Sequence, residues 1–496
     1  MMYSLRPNIQ SAATPSYSAP QPEASRQLYF AMLEERGGLT GQIDELTRST
    51  SRSFLREQLG LAAEIEADFP PEMQSLPSVL RNAHDQTAQS YRHYLDGRHA
   101  GAPRRYFSCR SHAMYFLRTV APTKLVDGAW LYGLLQHWQD SRLAPLIQTY
   151  LEELGGGNPL QNHVLLYKQL LARYGCDNWQ DGPDEHFTQG AVQLALAHHA
   201  NEFLPELIGF NLGYEQLPLH LLITAYELNE LDIDPYYFSL HVTIDNASNG
   251  HARMALQSVL DGMPRIGNTR DYHRRVGNGY RLNSVGMGTP QAIASFDIEQ
   301  ELLRVFADKA LIGEKLHSDY CLIAGRSVSG WLSSSGEMAD LLKTLQSAGW
   351  IRRGESPEHS RFWRLLTDEQ APMFGVFDGY EQQLLRDWIM DDASTTPTAR
   401  TTNRFRRRQT AGHVEEAAAV PQSGATVEQM IAYHARGEPR HGSCADVDAL
   451  FRQLAGVDTK AEAFAVLAGM LSPANHPTPA GLAATRLYAD LFSRLP

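Results

Sequence analysis

Apolar residues recur along this chain at helical spacing, and strand-like alternation is nearly absent before residue 325. The runs "SRQLYFAMLEERGG" and "STSRSFLREQLGLAAEIEADFPP" open on Ser or Thr, continue through helix formers and stop at Gly or Pro. "AWLYGLLQHWQDSRLAPLIQTYLEELGGG" is amphipathic and ends in three glycines, and "NPLQNHVLLYKQLLARYG" opens on Asn-Pro, a cap followed by a first-turn proline. Three further helical runs follow: "HFTQGAVQLALAHHANEFLPELIGFNLGYE" with a kinking proline, "LPLHLLITAYELNELDI", and "DPYYFSLHVTIDNASNGHARMALQSVLDGM". "GNTRDYHRRVGNGYRLNSVGMG" reads as a glycine-rich excursion between helices. The fold class this predicts is all-α, a helical bundle over 26–325.

Beyond the bundle the pattern changes. Residues 326–392 read as a small winged-helix-like or docking segment, because a short helix precedes Gly-Trp-Ile, a turn and another apolar run. Residues 393–424 have the composition of a linker, 425–496 form a last helical segment, and 1–25 are a Ser/Pro/Ala-rich flexible lead-in. At 496 residues the chain exceeds what one core usually organises, which agrees with a large domain carrying extensions.

Charge and cysteine usage narrow the function classes. A net charge of −12 disfavours a general nucleic-acid or anionic-membrane binder, and the basic knot Arg404, Arg406, Arg407 and Arg408 sits in the linker. The winged-helix-like segment lacks the concentrated basic face that DNA would need. Four scattered cysteines provide neither a disulfide framework nor a thiolate zinc site, and no stretch approaches the ~20 apolar residues of a membrane helix. A cytoplasmic protein with ordinary thiols is the expectation. P-loop, nucleophile-elbow, dinucleotide and HExxH signatures do not occur.

Candidate chemistry lies in acids and histidines at helix-compatible positions. His241 and Asp245 are four apart in "YYFSLHVTIDNASNGHARMA" and share a helical face. His251 would point about 120° away on a regular helix, and a π-type widening or local break at Asn249–Gly250 could bring it round. In "LEELGGGNPLQNH", Glu153 ends one helix and His163 begins the next, and a helix-loop-helix can aim both at one centre. Glu202, Glu206 and Glu215 sit on an otherwise apolar helix; Glu206, flanked by Leu204, Leu207 and Ile208, is the strongest of the three. Asp127 in "TKLVDGAWL" is a further helix-borne carboxylate. His198, His199, His220 and His137 read as hydrogen-bonded core histidines, and Tyr236, Tyr237 and Phe238 as core aromatics. Helical bundles that hold two metals use inward carboxylates as bridges and histidines as caps, and mixed O/N ligation without thiolates suits iron and O2.

This ordered set resembles the haem-oxygenase-like diiron oxidases and oxygenases, the group often called iron-containing redox enzymes. Their ligand order is Glu and His on early helices, Glu on a middle helix, then a late His-x-x-x-Asp-x-x-His. On that resemblance Glu153 and His163 are the first pair, Glu206 the middle glutamate at 35 residues before His241, and His241 and Asp245 the start of the late motif. The chain departs from the pattern at Ser248, where the last histidine should stand, and the role passes to His251. The resemblance spans roughly residues 30 to 325 and a docking helix in "APMFGVFDGYEQQLLRDWI". It implies a haem-oxygenase-like bundle, two iron ions and O2 as co-substrate. It further implies an oxidase or oxygenase acting on a small amine- or carboxylate-bearing metabolite, by N-oxygenation, desaturation or C–C cleavage, in specialised-metabolite biosynthesis. It leaves room for a homodimer. The competing reading is an inactive scaffold that binds a partner through the C-terminal segments. Haem chemistry on the same fold is a third, disfavoured because one axial histidine needs no set of acids.

Overall fold

The computed structural model describes residues 23–34, 43–66, 68–244, 250–313, 322–333, 335–391, 426–437 and 445–494. Among them are 23 α-helices and one two-stranded antiparallel ribbon, Leu322–Ile323 paired with Arg326–Ser327, so the chain is all-α. The expected flexible lead-in and the expected linker lie almost wholly outside the described residues. No helix among the described residues is long and apolar enough to cross a membrane.

Two apolar cores organise the chain. The first gathers Leu28, Leu55, Trp130, Ile147, Leu196, Phe210, Val259 and Val276, and the C-terminal residues Phe464, Leu467, Leu487 and Tyr488 belong to it. The second joins Phe107, Phe116, Tyr167, Phe238 and Phe306 to Leu341, Phe362, Leu384 and Trp388. Both segments beyond residue 325 therefore share a core with the bundle, as the helices Met338–Ser347 and Gly379–Met390 and the helix Pro479–Ser493 show.

Where the structure differs from the sequence pattern, a local competitor explains it. The run after Asn158 does not begin its helix at Asn-Pro. Asn158 Oδ1 accepts from the Leu160 amide in a turn, and the helix His163–Tyr174 begins behind Asn162, whose side chain caps the Leu165 amide at 3.0 Å. The proline run is two helices, Thr188–His198 and Leu204–Tyr214, with Pro205 in the first turn of the second.

The glycine-rich excursion is a correction: residues 269–282 are a helix, Thr269–Leu282, capped by Asn268. Its glycines are notches for packing. A Cβ on Gly279 would strike the Glu206 backbone, and one on Gly209 of the opposing helix would strike the Val276 carbonyl. Two helices with glycine at their crossing approach backbone to backbone, so the pattern marks close packing here rather than a loop.

Candidate metal centre

The two cores meet at a seam of acids and histidines. Asp127 follows Leu125 of the second core and Val126 of the first. Glu153 ends the helix Ala144–Glu153, which packs in the first core, while His163 starts a helix of the second. His241 lies on Tyr236–Ile244, beside Tyr237 and Phe238 of the second core, and His251 opens His251–Asp261 in the first. Glu215 caps the C-terminus of Leu204–Tyr214. None of these six side chains is on a residue more than 6% exposed.

Two local devices bring the groups together. The chain reverses after Glu153 through Gly155, Gly156 and Gly157, all at positive φ, and Asn162 Nδ2 reaches back to the Leu154 carbonyl at 3.3 Å. Gly128, at φ 79°, lets the segment of Asp127 press against Glu153. A Cβ at that position would lie 2.8 Å from Glu153 Cβ.

One cluster comprises Asp127, Glu153, His163 and His241, with one ligand atom from each lying within 4.8 Å of all the others. His163 Nδ1 touches Glu153 Oε2 and lies 3.7 Å from Asp127 Oδ2. Both Glu153 Oε2 and His163 Nδ1 are fully buried, so their contact is closed to water. His241 donates from Nδ1 to the Tyr237 carbonyl at 2.8 Å, and its Nε2 lies 3.1 Å from Asp127 Oδ2. The His163 and His241 rings lie 4.4 Å apart between centroids.

A second cluster, Glu153, Glu215 and His251, obeys the same criterion and shares Glu153 with the first. His251 Nδ1 is 3.2 Å from Glu215 Oε2 and 3.4 Å from Glu153 Oε1, and its Nε2 is 2.8 Å from Glu152 Oε2. A carboxylate behind a histidine fixes its tautomer and orients the ring. Burial would by itself raise Glu153, but the imidazoles of His163 and His251 outweigh it and draw the carboxyl down to about 2. Burial would likewise lower His163, yet the Glu153 and Asp127 carboxylates hold it up at about 10. Burial also opposes the ionised Asp127, and Lys124, His163 and His241 overcome it, keeping it well below the usual range. The site therefore demands positive charge. Its oxygens and nitrogens, shared through one carboxylate, fit a pair of divalent cations.

Around Asp127 the outer contacts are aromatic. Tyr214 donates to Oδ1 at 2.7 Å and Tyr237 to Oδ2 at 2.5 Å, and Lys124 Nζ lies 2.9 Å from the Tyr214 hydroxyl. Burial, followed by the Asp127 charge, pushes both phenols far up, so they stay protonated donors.

Of the residues singled out from sequence, the structure gathers Glu153, His163, His241 and His251, together with Asp127. Glu206 is not among the residues gathered at the seam. Its carboxylate is gripped by Arg275, with Nε on Oε1 and Nη2 on Oε2 both at 2.6 Å, so its counter-charge is a guanidinium. Nine residues separate Glu206 from Glu215, roughly 13 Å along a helix, so the two lie at opposite ends of Leu204–Tyr214. Glu215, weighed as the alternative at that level, is the carboxylate at the seam. Asp245 lies outside the described residues. His251 opens the helix His251–Asp261 behind Gly250. Sequence reading missed Glu152, which stands behind His251; its only signal was adjacency to Glu153.

A family described as "iron-containing redox enzyme" has a model that matches residues 114–283 of this chain, a stretch containing every residue of both clusters. No curated protein and no solved structure matches the chain significantly.

Proposed function

We propose that this chain is a non-haem diiron, O2-dependent oxidase or oxygenase acting on a small amine- or carboxylate-bearing metabolite. The observation that carries the reading is the sharing of Glu153 between a four-residue and a three-residue cluster, all buried, inside the stretch matched by an iron-containing redox family. Two ferrous ions bound there would supply the electrons that reduce O2 and an oxidant able to take hydrogen from carbon or deliver oxygen to nitrogen.

The chain's own residues do the rest. Asp127, His163 and His241 would hold one ion, Glu215 and His251 the other, and Glu153 would bridge them. The Tyr237 carbonyl and Glu152 orient His241 and His251, each from the ring nitrogen that faces away from the centre. The Tyr214 and Tyr237 hydroxyls hold both Asp127 oxygens, limiting how far that carboxylate can swing. Trp130, Tyr167 and Phe210, all fully buried, close the flanking cores to bulk water. Three buried carboxylates are superfluous to a haem and essential to a metal pair, which favours this reading over haem chemistry.

The test is an anaerobic Fe(II) titration of metal-free chain followed by an O2 pulse under stopped-flow absorbance. About two ions per chain, with a transient visible band that Glu153→Ala and His241→Ala abolish and Glu206→Ala preserves, is the expected result. Absence of specific iron binding, or a band indifferent to Glu153→Ala and His241→Ala, would refute the proposal.

A further inference from the structure

The C-terminal helical segment, outside the stretch matched by the family model, reaches the back of this centre. Three hydrogen bonds from it or to it converge on the stretch 150–162. Tyr150 donates to the Leu471 carbonyl at 2.5 Å, Arg486 Nη1 to the Gly157 carbonyl at 2.6 Å, and Asn162 Nδ2 to His476 Nδ1 at 3.1 Å. Gly157 has φ 82°, and a Cβ there would strike the Leu482 carbonyl and the Arg486 amide, so the glycine turn and the terminal helix are in backbone contact.

Asn162 is the hub. Its Oδ1 caps the helix that His163 opens, and its Nδ2 is divided between His476 and the carbonyl of Leu154, the residue after Glu153. Both Asn162 and His476 are buried, at 0% and 2% exposure, so neither can exchange its partner for water without opening the packing. Burial, with Lys168 and His163 adding to it, pushes His476 down to about 3, leaving a neutral ring whose Nδ1 can accept.

We propose that His476 is a positioning residue of the metal centre: by holding the Asn162 amide it fixes the Glu153–His163 pair, making the C-terminal segment part of the site's framework. The inference rests on the metal-centre reading above. It differs from a docking role, in which the segment merely covers the first core, because docking asks nothing of the acceptor at residue 476.

Cobalt(II), bound anaerobically to the full-length chain and followed by its visible ligand-field absorption, separates the two. His476→Met and His476→Gln fill similar volumes, and only the glutamine offers Asn162 a strong acceptor, the thioether sulfur accepting weakly. His476→Met should weaken Co(II) binding on the order of 10- to 100-fold and shift the bands, while His476→Gln stays near wild type. Phe464→Leu, which disturbs the stack of Phe464 on Trp138 at 4.4 Å elsewhere on the same segment, should lower the melting temperature and leave the cobalt spectrum unchanged. Wild-type binding and bands in His476→Met would overturn the inference, as would parallel losses in His476→Met and Phe464→Leu. A wild-type chain that binds no Co(II) overturns the metal centre itself, and this inference with it.

Discussion

Gly128→Ala tests whether the close approach of two chain segments sets the metal geometry. The residue sits at φ 79°, where a side chain costs about 1–2 kcal/mol. Its new methyl would stand 2.8 Å from Glu153 Cβ and 2.9 Å from Glu153 Cγ, well inside van der Waals contact, adding about 1–3 kcal/mol. Relief requires Glu153 to move away from Asp127 by several tenths of an ångström, and Glu153 is the carboxylate both clusters share. Gly156→Ala is the matched control: φ is 56°, yet nothing lies within 4 Å of its Cβ, so that substitution carries backbone strain alone. Side-by-side urea unfolding of the metal-free variants should place Gly128→Ala below Gly156→Ala by the clash, about 1–3 kcal/mol. Iron affinity, measured by anaerobic titration, should fall at least tenfold in Gly128→Ala and little in Gly156→Ala. Equal stability and equal iron affinity in the two variants would refute the argument that the Gly128 contact positions Glu153.

Two further outcomes follow from the electrostatics. Glu206→Leu should leave iron stoichiometry unchanged and destabilise the chain by about 3 kcal/mol in urea, the low end for a broken buried pair, because Arg275 retains 28% side-chain exposure; a loss of one bound ion would restore Glu206 to the centre. The metal-free chain should lose stability as pH falls from 6.5 to 5, because burial holds His476 at about 3 and His198 at about 4, and unfolding lets each take up a proton. Each contributes about 2 kcal/mol over that interval. His163, raised to about 10, is protonated in both states below 6.5, and Glu153, at about 2, is ionised in the folded state and nearly so in the unfolded, so neither competes strongly in this window. Melting temperatures recorded at pH 7 and 5 should therefore differ less in His476→Gln than in wild type, and an unchanged difference would contradict the assignment.

How much of this was legible depended on the range of the interaction. Helical periodicity, caps and glycine stops are local, so the all-α class and most helices could be read from the chain. The Glu153–His163 pairing could also be read, because only a glycine turn separates the two helices. The helix Thr269–Leu282 could not: its four-residue run "GNGY" is poor helix sequence, stabilised by the backbone of the helix Leu204–Tyr214, which no local window contains. The same limitation decided Glu206 against Glu215. Both lie on or beside one apolar helix and both are buried, so burial alone could not rank them. Their roles are set by partners far along the chain, Arg275 for one and His251 for the other.

That contrast yields a general criterion for acids on apolar helices. A buried carboxylate must find a positive partner, and an arginine satisfies it completely with two short hydrogen bonds, as at Glu206. Glu153 and Asp127 instead meet imidazoles, and at His241 and His251 the ring proton is already committed to, or contested by, an outer acceptor, the Tyr237 carbonyl and Glu152. A neutral imidazole with its one proton donated outward cannot satisfy a carboxylate on its inner face. Divalent cations bound at the seam would take up the carboxylate charge and the inward ring nitrogens together, which under the proposed reading separates these acids from Glu206, already satisfied by Arg275.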